Sequence, residues 1–119
     1  DAAVAGCAWL PEAELAVYSA EYLRTGFQGG LQWYRCRTFG EFEAEHQIFS
    51  DRTINVPSWF IAGARDWGIY QVPGALQQMQ TVACTHMLGC HLLDGAGHWV
   101  QQEQPEAVTR LLSKMLGSG

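Results

Sequence analysis

His98 stands in LLDGAGHWVQQEQPE, residues 92–106, between a run of small residues and Trp99 and just before a helix start. Asp66 stands in IAGARDWG, just past a short apolar run. Together these two types can move a proton. A carboxylate that accepts from one ring nitrogen fixes the imidazole tautomer and stabilises the imidazolium formed when the other nitrogen takes a proton. Gly95, Ala96 and Gly97 would let the backbone turn tightly and carry the ring into a cleft. Taken singly, each residue has a plainer use: an Asp after a strand is commonly a turn former or helix cap, and a His a surface or satisfied core residue.

The elements around these residues decide whether they can meet. SWFIA, residues 58–62, follows Pro57 and ends at Gly63, as expected of a buried strand bounded by breakers. PGALQQMQTVAC reads as a helix with Leu76, Met79 and Val82 roughly aligned, and GCHLLDGAG as a second short strand. Pro105 and Glu106 start a final helix in which Val108, Leu111, Leu112, Met115 and Leu116 share a face and Gly117 is the stop. The order is β, α, β, α, which implies parallel strands joined by a right-handed crossover. Ligands of open α/β sheets bind beyond the carboxyl ends of the strands, where Asp66 and His98 both fall. Two parallel strands do not make a stable sheet, so more chain or a partner is expected to complete it.

Upstream, WLPEAELAVYSAEYLRTGF reads as a helix. Pro11 suits its first turn, Glu12 and Glu14 its positive end, and Gly26 a left-handed stop, with Leu15, Tyr18 and Tyr22 on one face. The double glycine after it reads as a turn, and helical character resumes near Thr38, weakened by Gly40.

The 119 residues suffice for one domain, and 48% hydrophobic with 16% charged residues is a globular composition. A net charge of −5 without any Lys/Arg cluster argues against nucleic acid or an anionic membrane as partner. No apolar run reaches the length of a membrane span, and nothing resembles a signal peptide. The chain begins at Asp1 rather than Met, as expected if its true start lies upstream. Cys7, Cys36, Cys84 and Cys90 are irregularly spaced and read as reduced thiols of a cytoplasmic protein. CTHMLGCH, residues 84–91, is a weak metal candidate: Cys84, His86, Cys90 and His91 lack paired zinc-ligand spacing, and adjacent residues of a strand face opposite ways. No metal or other cofactor is expected. Glu103 and Glu106 read as carboxylates at a helix N-terminus, and Asp94 as a turn former.

VPSWFIAGARD followed by LLDGAGHWVQQEQPEAVTRLLSKML resembles the last two strand–loop–helix units of an α/β-hydrolase fold enzyme. In that fold the chain order is nucleophile, acid, histidine, so the resemblance implies Asp66 as acid and His98 as base. TGFQGGLQWYR, residues 25–35, is similar to the end of the cap domain of the epoxide hydrolases. There a cap tyrosine supports and then protonates the epoxide oxygen, a role that falls to Tyr34, since a phenol is protonated at neutral pH. The plainer reading of Trp33 and Tyr34 is as amphipathic packing residues. The expected architecture is α/β, the C-terminal portion of an α/β-hydrolase fold with an incomplete sheet: residues 1–38 end a helical cap and residues 39–119 end the hydrolase core. The implied mechanism opens an epoxide by a carboxylate nucleophile and hydrolyses the resulting ester with water activated by His98 and Asp66. Trp33, Trp67 and Trp99 are the expected substrate-binding residues.

The chain also departs from that family. It has no G-x-D-x-G or G-x-S-x-G nucleophile elbow, no HGxP-like turn and no second cap tyrosine. It is therefore expected to be a C-terminal fragment, inactive alone, whose partner is the missing N-terminal hydrolase portion or a second chain. The substrate would be a small epoxide or ester, and carbon–halogen cleavage uses the same acid–histidine half. The rival reading is a non-enzymatic α/β half-domain that associates with itself or another chain through its open sheet edge.

Overall fold

The computed structural model describes residues 7–40 and 42–117. The chain divides into two compact units, Asp1–Asp51 and Arg52–Gly119.

In the first unit, helix α1 (Glu12–Thr25) carries Glu12 and Glu14 in its first turn and Arg24 in its last, matching the helix dipole at both ends. Pro11 sits one residue earlier than its expected first-turn place, as the N-cap. Gly26 ends the helix at φ 68° and ψ −179°, a region essentially reserved for glycine rather than the left-handed helical one. Tyr22 stacks on Phe27 at 4.5 Å across this break. Helix α2 (Gln28–Thr38) then overturns the expected glycine turn: Gly29 and Gly30 lie in its first turn. Glycine disfavours a helix by only about 1 kcal/mol per residue, and LQWYRCRT continues the helix beyond it. Leu31 N donates to Phe27 O, and Arg35 reaches back to Gln28 at 2.6 Å. Helical character near Thr38 is an end rather than a beginning. Gly40, at φ 66°, interrupts the chain before the single turn of α3 (Glu43–His46).

In the second unit, strand β1 (Ser58–Gly63) pairs in parallel with β2 (Met87–Leu93), with Trp59 opposite Gly89 and Gly63 opposite Leu93. The connection carries a 3₁₀ turn, Trp67–Tyr70, and then helix α4 (Ala75–Gln78), which widens into a π turn over Met79–Ala83, where Cys84 N donates to Met79 O. The short α5 (Val100–Glu103) and the amphipathic α6 (Pro105–Leu116) follow β2, with Pro105 at the start of α6. Val108, Leu111 and Met115 of the expected face are half-buried, and Leu112 and Leu116 are exposed.

The strand expected to be buried on both faces is only half-buried from Ser58 to Ile61. Two strands offer too little surface for full cover. The described residues that are buried are Ala62, Gly63, Asp66, Cys84 and Ala96. Four of these belong to the carboxyl ends of the strands and the loops beyond them, so burial concentrates where the candidate residues lie. Among the described residues no helix is long and apolar enough to cross a membrane.

Candidate active site

The loops after β1 and β2 are stitched together by backbone bonds that continue the sheet past its last residue pair. Ala64 N donates to Leu93 O at 2.9 Å, Arg65 N to Ala96 O at 3.0 Å, and the Arg65 guanidinium to Gly95 O. Tyr70 donates its hydroxyl to Ala64 O at 2.9 Å. The close approach depends on Gly63: a Cβ there would lie 2.2 Å from Gly97 O and 2.4 Å from Ala96 O. Ala96, with no exposed surface, packs directly over it.

This seam brings Asp66 and His98 together. Asp66 caps the 3₁₀ turn, accepting from Gly68 N at 2.8 Å on Oδ1, and the same oxygen lies 2.9 Å from His98 Nδ1. One side chain thus both caps the turn and meets the imidazole. Burial by itself would push the Asp66 carboxyl up. The hydrogen bonds from His98 and Gly68 and the nearby imidazole charge outweigh it and hold the group below the ordinary carboxylate value. Asp66 is thus ionised at neutral pH and can only accept. Nδ1 of His98 must then carry the hydrogen, which leaves Nε2 as the nitrogen free to take a proton.

The ring is held on two further sides. Trp67 stacks on it at 5.3 Å with the ring planes 27° apart, and Trp99 meets it edge-on at the same distance. The His98 side chain remains 46% exposed while that of Asp66 is 12% exposed, so the imidazole is open to solvent and the carboxylate behind it is not. Glu103 was not separated from Glu106 by sequence reasoning. Glu106 is exposed in the first turn of α6, 3.8 Å from Arg110. Glu103 instead ends α5 and accepts from Gly97 N at 2.7 Å and Trp99 N at 3.0 Å. Its spacing of four residues from Trp99 was the available signal.

Trp33 and Tyr34 stand on α2 in the first unit. With Tyr22, Phe27, Gly30 and Leu31 they line an open depression of about 340 Å³, and both side chains are largely exposed. All four cysteines are free thiols. In the CTHMLGCH stretch, Cys84 is buried, the His91 ring packs at 4.7 Å on Trp59, and burial pushes the Cys90 thiol up, away from the thiolate a metal needs. Among the described residues no three His, Cys, Asp or Glu side chains are grouped to hold one metal ion.

Parallel strands with an acid after one, a histidine after the next and a closing helix define the C-terminal portion of an α/β-hydrolase fold. The chain is similar over nearly its whole length to epoxide hydrolases of known sequence and structure. It is 40% identical over 115 residues to epoxide hydrolase A of Mycobacterium tuberculosis, an alignment covering 92% of this chain and 32% of that protein. An epoxide hydrolase from an endophytic Streptomyces superposes with a TM-score of 0.78 at 39% identity, over 92% of this chain and 32% of that one. Potato epoxide hydrolase I superposes with a TM-score of 0.81 at 26% identity, over 100% of this chain and 37% of that one. The chain thus spans about a third of the length of the relatives it matches. No protein-family model matches it.

Proposed function

We propose that this chain supplies the base, its orienting carboxylate and one proton donor of an epoxide hydrolase, and that a nucleophile comes from polypeptide outside these 119 residues. The observation that carries the reading is the 2.9 Å contact between His98 Nδ1 and Asp66 Oδ1 at the carboxyl ends of two parallel strands. In the complete enzyme a carboxylate oxygen attacks an epoxide carbon, the ring C–O bond breaks, and Tyr34 gives its proton to the alkoxide. The product of this step is an ester to the enzyme. His98 Nε2 then removes a proton from water and the hydroxide attacks the ester carbonyl; the acyl C–O bond breaks, the departing alkoxide takes the proton of the new carboxyl group to complete the diol and restore the carboxylate, and the imidazolium proton returns to the Tyr34 phenolate. Asp66 stabilises the transient imidazolium. Trp67 and Trp99, whose rings flank His98 and are about half exposed, form an apolar wall of the substrate site, and Trp33 is a further substrate-binding residue.

In this reading residues 1–38 end the cap and residues 39–119 end the hydrolase core. The four free thiols fit a cytoplasmic protein. The test is turnover of a small aryl epoxide by the chain alone and after co-expression with the N-terminal two-thirds of a related epoxide hydrolase. The expected result is no diol from the chain alone and diol from the pair. In the pair, His98→Ala should let one equivalent of epoxide add covalently, visible as a mass increase, without turnover. A pair that forms diol equally well with and without His98 would refute the reading.

A further inference from the structure

We propose that Glu103 is a positioning residue for His98, its single carboxylate gripping the peptide groups on both sides of the ring-bearing residue. The proposal rests on the reading of His98 as the base. Asp66 is buried and fixed by Gly68 N, so whether the imidazole meets it depends on where the loop places the His98 backbone. Glu103 sets that place. Its Oε2 accepts from Gly97 N at 2.7 Å and its Oε1 from Trp99 N at 3.0 Å, one donor on each side of His98. The residue is itself anchored to the same loop, because Glu103 N donates to Trp99 O at 2.9 Å. The grip is close: a Cβ on Gly97 would lie 3.3 Å from Glu103 Oε1.

Each of the two N–H donors faces its own oxygen of the Glu103 side chain. A carboxylate supplies both acceptors, whereas the amide of glutamine has one acceptor and would turn an NH₂ toward the second donor. Glu103→Gln therefore keeps the shape and breaks half of the grip. A residue that merely stabilised α5 would change melting temperature alone. A positioning residue must also change the imidazole–carboxylate bond.

The test is NMR on the 119-residue chain, following hydrogen exchange of the Gly97 and Trp99 amides and the downfield proton of the His98 Nδ1–H group. In the unsubstituted protein both amides are expected to be protected and the Nδ1–H signal resolved. In E103Q, protection of at least one amide should fall about tenfold or more, the scale of a hydrogen bond to a charged acceptor, and the Nδ1–H signal should broaden or shift. E106Q should leave all three unchanged. An Nδ1–H signal unmoved in E103Q, but abolished by Asp66→Asn, overturns the role of Glu103 and leaves the Asp66–His98 pair standing. A signal missing from the unsubstituted protein overturns both. Should E103Q fail to fold, exchange in the unsubstituted protein decides alone: protected Gly97 and Trp99 amides support the grip, and amides exchanging at free-peptide rates refute it.

Discussion

One Asp66 oxygen accepts from both Gly68 N and His98 Nδ1, and the pair of bonds has a consequence for acid stability. The folded value of the Asp66 carboxyl is lowered, so it contributes stability that is fully present above the ordinary carboxylate value and is lost as pH falls through the folded one. Asp66→Asn should therefore destabilise the protein at neutral pH, and the gap from wild type should close as the medium is acidified, as measured by urea melts over a pH series. Gly63 is the second residue on which the site turns. Gly63→Ala places a methyl against Gly97 O and Ala96 O, which must move. A loss of about 1–3 kcal/mol is expected, the cost of overpacking a tight contact, together with loss of the His98 Nδ1–H signal. A melting curve and spectrum unchanged by that substitution would contradict the close packing of the two loops.

At the level of elements, the amphipathic face of α6 was legible because five apolar residues repeat with helical spacing, yet only three of them bury surface here. Leu111→Ala should cost about 1–2 kcal/mol, below the range for a fully buried leucine. Leu116→Ala, at 82% exposed, should stay within about 0.5 kcal/mol of wild type. Equal losses at the two positions would show that α6 packs on another face. Strand β1 was legible from its breakers, and β2 nearly so, since Met87 and Leu88 extend it beyond the glycine taken as its start. The glycine pair of α2 misled because single-residue preferences of about 1 kcal/mol yield to the helix formed by the residues around them. The 3₁₀ turn at Trp67–Tyr70 left no periodic signal; Asp66 creates it by accepting from Gly68 N.

On the scale of the whole molecule, the two-stranded sheet has unpaired outer edges among the described residues, and Leu88 and Leu92 of β2 are exposed at 55% and 39%. Edges and apolar surface of this kind drive association. The isolated chain is expected to self-associate in a concentration-dependent way, read by sedimentation velocity, and co-expression with the N-terminal hydrolase portion should suppress this. A concentration-independent monomer would contradict the expectation. Residue types, breaker positions and helical spacing made the two strands, the helix between them and the closing helix legible, and placed Asp66 and His98 just past the strands, because these depend on local preferences written along the chain. The tertiary structure alone decided that one Asp66 oxygen serves both Gly68 and His98, that Gly63 admits the neighbouring loop, and that Glu103 rather than Glu106 grips the backbone around His98. The first two depend on distances of a few ångströms between chain segments that the parallel pairing of β1 with β2 brings together, and the third on the path of the turn between β2 and α5.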